Sequence, residues 1–311
     1  MHGSRVLIPN EVSVKYDLES DSRLNTVDIA GELHFEVDRN TLMLVDTITL
    51  LSSGTLTLGT KSAPIPSDYQ ARVIFAPVDP NERGIDKVSD PLQLGRGLIT
   101  HYGSTLSIEG AQKTPYLTLA NGASRFSNTL EFDSLVPTDW RIGDKVVITA
   151  TSELGKEDIL EITEINGNSI KFVREATGAT ELAHDYITPN IDIAKVYVAN
   201  LTRSISFETE AGVNAPIDER GHIMLMDNAN INNAAFIGLG RTNKDIIINN
   251  PVIDADGQLV PSTGTNPRGR YPIHLHESKN GDGRSAKIPI PAASNGALRN
   301  FSYGSHYRPS V

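Results

Sequence analysis

With 311 residues, 39% of them hydrophobic and 21% charged, the chain can bury a core throughout, and no apolar run reaches the roughly 20 residues of a membrane span. A formal net charge of −10 argues against nucleic acid as the main partner, because phosphate backbones are bound by clustered Lys and Arg. The absence of cysteine excludes a disulfide framework and a Cys-based zinc site.

In chain order, Met1-His2-Gly3-Ser4-Arg5 lacks the apolar stretch of a secretory signal, so location has to be inferred in another way. Val12 to Tyr16 and Gly31-Glu32-Leu33-His34-Phe35 alternate apolar and polar residues, the mark of a strand with one buried face. The unit Gly31 to Phe35 is echoed about 23 residues later by Gly54-Thr55-Leu56-Thr57-Leu58, and more loosely by Gly103-Ser104-Thr105-Leu106-Ser107-Ile108. A glycine followed by inward aliphatics at such a period suits stacked coils, each burying its apolar side against its neighbours. A β-sandwich with similar hairpins is the competing reading.

Lys145 to Ile148, Ile159 to Ile165, Ser169 to Val173 and Lys195 to Val198 read as further strands, separated by turn signals such as Asn166-Gly167-Asn168. Thr202 to Phe207, Ile223 to Met226, Ala234 to Ile237 and Ile246 to Ile248 extend the series. A short helix or turn is expected only at Asn81 to Val88 and Thr180 to Asp185. The polar stretches from Asn249 to Arg270 and from Ser278 to Gly296 read as long loops, where ligands are commonly met.

Candidate chemistry concentrates in Arg270-Tyr271-Pro272-Ile273-His274-Leu275-His276-Glu277, because alternation on a strand puts His274 and His276 on one face. His222, on a neighbouring coil, would complete a three-histidine site for a divalent metal ion, zinc or calcium, with one position open to water or substrate. Without metal the same imidazoles suit general acid and base roles, or plain hydrogen bonding in a groove. Asp218 and Glu277, with Glu219 and Asp227, are the flanking carboxylates available as base or ligand. Arg203, Arg241 and Arg270 would form a cationic wall for an acidic sugar, unless they ion-pair along the surface. Trp140, the only tryptophan, suits a packing role better than sugar stacking. Serine-hydrolase elbows and nucleotide-binding glycine loops are absent from the sequence.

Taken in order, Val6-Leu7-Ile8-Pro9, the two glycine-led coils, Trp140-Arg141-Ile142-Gly143-Asp144, Leu201 to Ile205, Gly221-His222-Ile223-Met224 and Tyr271 to His276 resemble the G-eight domain family together with the β-helix that follows that domain in hyaluronan-related proteins. The resemblance implies an extracellular or cell-surface protein whose relatives bind or depolymerise hyaluronan, and it implies a role for His222, His274 and His276. It also implies coils beyond Val311, so a fragment or an inactive binding version is one expectation.

The expected fold is all-β: a right-handed, single-stranded parallel β-helix with long loops. One continuous solenoid is expected, with residues 1–200 of G-eight type and 201–311 as further coils carrying the histidine cluster. The expected function is depolymerisation of an acidic, hyaluronan-like glycan. The alternatives are a non-catalytic glycan-binding or adhesive module and a structural segment of a surface assembly, associating through solenoid ends.

Overall fold

The computed structural model of the chain describes residues 3–82, 84–149, 157–187, 195–227, 229–276 and 286–287. Strands dominate, and helical structure among the described residues is confined to the 3-10 turns Gly212–Asn214 and Ile217–Glu219. The chain divides into two compact units, one from residues 3–111 and 204–287, the other from residues 112–203.

In the first unit, short strands joined by bends repeat as parallel coils. Ser13–Tyr16, Glu32–Phe35, Thr55–Leu58, Thr105–Glu109, Ala229–Asn232 and Ala286–Lys287 form one parallel sheet. Its register aligns Leu33, Leu56, Leu106 and Ala229 in one row and Phe35, Leu58, Ile108 and Ile231 in the next. Every member of both rows is buried. The repeat seen in the sequence is therefore a stacking register: residues one coil apart lie directly over one another.

The second sheet begins with Arg5–Ile8, Glu19–Ile29 and Thr41–Leu50, also parallel. Thr41–Leu50 is long enough to fork it. Its first half pairs with Ala71–Phe75 and its second half with Gly97–Thr100. One branch runs on through Ile205–Thr209 to Ala234–Ile237, the other through His222–Leu225 to His274–Leu275. A single apolar cluster, including Ile29, Ile48, Leu56, Phe75, Phe207 and Ile223, draws on both sheets.

Glycine leads the repeat for a reason of space. A Cβ at Gly54 would lie 2.0 Å from the carbonyl oxygen of Ile29, and one at Gly31 would lie 2.3 Å from those of Pro9 and Val12. The preceding coil passes too close for any side chain at that corner.

The second unit corrects the expectation of one continuous solenoid. Tyr116–Thr118, Tyr197–Asn200, Lys145–Ile148, Ile159–Asn166, Ser169–Arg174 and Thr129–Glu131 form an antiparallel sheet in that order. Its two ends also bond to each other, through a bridge between Leu119 and Phe132 and through Asp133 N donating to the Thr118 carbonyl. The sheet thus closes into a small barrel with no free edge. Its core holds Phe132, Ile148, Leu160, Phe172 and Trp140, whose indole Nε1 donates to the Thr114 carbonyl at 2.8 Å. Trp140 is a packing residue. Beneath the barrel wall, buried Lys113 donates to both oxygens of Asp144, at 2.7 and 2.6 Å.

The chain leaves the first unit after Ala111 and returns at Ser204, and these two residues touch, with Ala111 N donating to Ser204 Oγ at 3.0 Å.

Removing a side chain from a stacked row leaves a void that neighbouring coils cannot fill. Leu56→Ala is expected to cost about 2–5 kcal/mol in urea unfolding. Gly54→Ala should cost about 1–3 kcal/mol by forcing the coils apart, whereas Thr57→Ala, on the outward face, should stay within about 0.5 kcal/mol.

Candidate functional site

On the strand His222–Leu225 alternation sends Ile223 and Leu225 into the core cluster, which leaves His222 and Met224 on the opposite face. That face would ordinarily meet water, yet His222 is fully buried and Met224 is 3% exposed. Two loops cover it: the segment around Leu92 to Arg96 and the segment from Gly238 to Arg270.

The loop expected from Asn249 to Arg270 is folded upon itself. Asn249 and Asn266 bridge, and buried Asn266 donates through Nδ2 to the carbonyls of Asn243, Ile246 and Ile247. At its base, Thr242 Oγ1 donates to the Pro267 carbonyl and accepts from Arg270 N.

The two loops are joined by arginines. Arg241 Nη2 donates to the carbonyls of Gln93 at 2.6 Å and Gly95 at 2.7 Å, and its Nη1 reaches the Arg220 carbonyl at 3.1 Å and His222 Nδ1 at 3.0 Å. Arg270 donates from Nε to the Gln93 carbonyl at 2.7 Å and from Nη2 to the Leu92 carbonyl at 2.8 Å. Arg96 is held in turn by Asp46, Nε to Oδ2 at 3.2 Å. All three are buried. The expected cationic wall therefore does not form, because Arg241 and Arg270 point inward and bind main-chain carbonyls. Burial, reinforced by the charges of Arg270 and Arg96, brings the Arg241 pKa down to about 9, so it remains charged at neutral pH. Arg203 belongs to the second unit, where its Nη1 donates to the carbonyls of Asn200 and Thr202.

These cations add to burial in setting the state of His222. His222 Nδ1 lies 3.0 Å from Arg241 Nη1, which can only donate, and 3.2 Å from the Arg96 carbonyl, which can only accept, while the buried Nε2 has no hydrogen-bond partner among the described residues. Burial first, and then Arg241 and Arg270, push the His222 pKa far below its ordinary value. Such an imidazole is neutral at pH 7. Among the described residues no group of three or more His, Asp or Glu is placed to hold a metal ion.

His274 and His276 do come together. His274 stands beside Met224 in the register, and its ring meets that of His276 edge-on at 5.3 Å between centroids. Both are half-buried. His274 Nδ1 donates to the Gly269 carbonyl at 2.8 Å, which leaves the lone pair on Nε2. Gly269, at φ +81°, permits this approach, since a Cβ there would lie 2.9 Å from the imidazole. Burial, then the charges of His276 and Arg270, lower the His274 pKa against the opposing bond to Gly269. Tyr271 packs edge-on against His274 at 5.5 Å, and the exposed Lys244 ammonium lies 5.8 Å from the centre of the Tyr271 ring. Neither Tyr271 nor Lys244 was singled out from the sequence, although Tyr271 lies within the histidine-bearing stretch.

Asp218 sits exposed on the turn Ile217–Glu219 and makes none of the contacts that join the histidines. Asp227 accepts a bond from Gly103 N at 2.6 Å. Glu277 lies outside the described residues, as does the second expected loop apart from Ala286–Lys287, which forms a strand there.

Residues 1–120 match the G8 domain family. The matched segment contains the glycine-led coils and the first strands of both parallel sheets. No curated protein matches the chain. Among solved structures, the chain is similar to the Gp54 tailspike of Acinetobacter baumannii bacteriophage AP22, determined in complex with a capsular saccharide, at 10% identity over 70% of this chain and 29% of that one, with a TM-score of 0.23. It is similar also to the gp61 tailspike of Pseudomonas phage phi297, at 13% identity over 65% of this chain and 26% of that one, again with a TM-score of 0.23. The chain thus spans between a quarter and a third of the length of these tailspikes. No helix among the described residues is long and apolar enough to cross a membrane.

The state of His222 carries a pH signature. Unfolding releases it to an ordinary pKa near 6.5, so below that value the unfolded chain binds a proton that the folded chain does not, and stability falls as the solution is acidified. The loss should approach about 1.4 kcal/mol per pH unit below pH 6.5. Urea unfolding of the protein and of His222→Asn across pH 7.5 to 5 should show a shallower slope in the variant.

Proposed function

We propose that the chain is an extracellular protein on a right-handed β-helical scaffold that binds and cleaves an acidic polysaccharide of the hyaluronan class, with His274 as the reacting base. The observation that carries this reading is the bond from His274 Nδ1 to the Gly269 carbonyl, which fixes the tautomer and presents the Nε2 lone pair from a ring kept neutral at pH 7. The G8 match over residues 1–120, and the resemblance of the ordered motifs to hyaluronan-related proteins, support this substrate class.

The groups at hand suit elimination better than hydrolysis. Glycoside hydrolysis ordinarily employs two carboxylates across the scissile bond. Here the ring of His274 meets those of His276 and Tyr271, and Lys244 lies 5.8 Å from the centre of the Tyr271 ring. Lys244 can meet the uronate carboxylate and stabilise charge that builds beside it. His274 Nε2 removes the proton on the carbon next to that carboxylate, the bond to the leaving glycosidic oxygen breaks, and a double bond forms in the ring. Tyr271 or His276 returns a proton to the leaving oxygen.

Incubation with hyaluronan and a small panel of uronate polysaccharides, read by size exclusion and by the ultraviolet absorbance of unsaturated ends, tests this directly. Shortened chains with unsaturated ends are expected. His274→Ala should lower the rate by about 100-fold or more while the circular dichroism spectrum is retained. Turnover should also fall as pH drops and His274 becomes protonated. Saturable binding with unchanged chain length would instead identify a glycan-binding module.

A further inference from the structure

The barrel unit carries a cleft that the histidine site does not use. It encloses about 430 Å³ and is lined by Arg125, Phe126, Arg174 and the segment from Gly178 to Ala183. Three observations set it apart from an ordinary surface hollow.

Phe126 is 63% exposed and held at φ +71°, a left-handed conformation unfavourable for a bulky side chain. The turn is clamped in place, with Phe126 N donating to the Leu182 carbonyl and Arg125 N to Asp185 Oδ1 at 2.7 Å. Strain held so firmly displays the aromatic ring at the rim.

Arg125 is exposed, and its guanidinium carbon lies 4.6 Å from the Phe126 ring centre, with no carboxylate bound to it among the described residues. A stacked guanidinium keeps its N–H edge free for a planar anion.

Arg174 contributes the third observation, because its buried Nε lacks a hydrogen-bond partner. Its Nη1 stands 4.0 Å from Asp158 Oδ1. Asp158 is otherwise engaged, since its Oδ2 accepts from Ala183 N and Tyr186 Oη, both at 3.0 Å, and lies 3.5 Å from His184 Nδ1. This buried carboxylate braces the cleft wall and ion-pairs with Arg174 through Oδ1 at 4.0 Å, a separation beyond direct hydrogen bonding, so Arg174 keeps N–H donors for a ligand. Glu181, also in the lining, is the acidic group that an anionic ligand must pass.

We propose that this cleft is a non-catalytic binding site for a uronic-acid unit of an acidic saccharide, its carboxylate bridged by Arg125 and Arg174 and the apolar face of its ring laid against Phe126. The choice of a saccharide rests on the glycan reading above, whereas the demand for a carboxylate comes from the cleft alone. Paired guanidinium groups bind carboxylates through parallel N–H donors, and a sugar ring offers the flat C–H face that an exposed aromatic accepts.

The test is isothermal titration of the whole protein with hexasaccharides prepared from hyaluronan and from polygalacturonate, with cellohexaose as the neutral control. Binding of at least one uronate hexasaccharide, weakened by added salt and undetectable for cellohexaose, is expected. Arg125→Ala and Arg174→Gln should each weaken it about tenfold or more, and Phe126→Ala should do likewise. Arg125 and Phe126 are exposed, so their variants keep the test independent of any effect of Arg174 on folding.

Unchanged affinity in Arg125→Ala and Phe126→Ala overturns the proposal, as does equal binding of cellohexaose or no binding of either uronate. The histidine reading is judged separately, by chain cleavage. Arginine-dependent binding without cleavage upholds the cleft and removes the lyase, while cleavage unaffected by the cleft variants, with their affinities unchanged, does the reverse.

Discussion

A coil of the parallel unit can satisfy its backbone and bury its inward side chains only against the coils above and below it. Everything else in that unit follows from this dependence. It sets the rows Leu33–Leu56–Leu106 and Phe35–Leu58–Ile108, and it excludes side chains at Gly31 and Gly54, where successive coils nearly touch. It also lays Met224 beside His274, so that chemistry carried by residues far apart in the chain is assembled by register alone.

The outward face of the same strands makes the opposite demand. Where Gly238 to Arg270 folds over it, loop carbonyls lose water and need donors, and Arg241 and Arg270 provide several each. Burial is the larger cause of the lowered pKa of His222 and of His274, and the positive charge brought in to bind those carbonyls adds to it, from Arg241 and Arg270 at His222 and from Arg270 at His274. Stapling the loops and tuning the imidazoles are one electrostatic arrangement. A change to Arg241 would therefore alter both at once.

The parallel coils were legible in the sequence because their period and alternation are local, and His-x-His was legible because strand geometry alone places His274 and His276 together. The barrel was misread as more coils, since period-2 strands look alike in either kind of sheet. A usable signal was present: Asn166-Gly167-Asn168 joins Ile159–Asn166 to Ser169–Arg174 through two residues, a hairpin, and parallel strands cannot be joined so briefly. The fate of Arg241 and Arg270 was not legible, because their partners at Leu92 to Gly95 are carbonyls some 150 or more positions away, which no spacing rule reveals. Lys244 was hidden for a similar reason, lying in a polar loop whose return path only the fold defines.

The contact between Ala111 and Ser204 has a consequence for descent. An excursion of 92 residues that leaves and re-enters a scaffold at adjoining points imposes almost no strain on its host, so the barrel can be gained, exchanged or lost without rewriting the coils on either side. Lineages sharing these coils can be expected to differ most between those two positions.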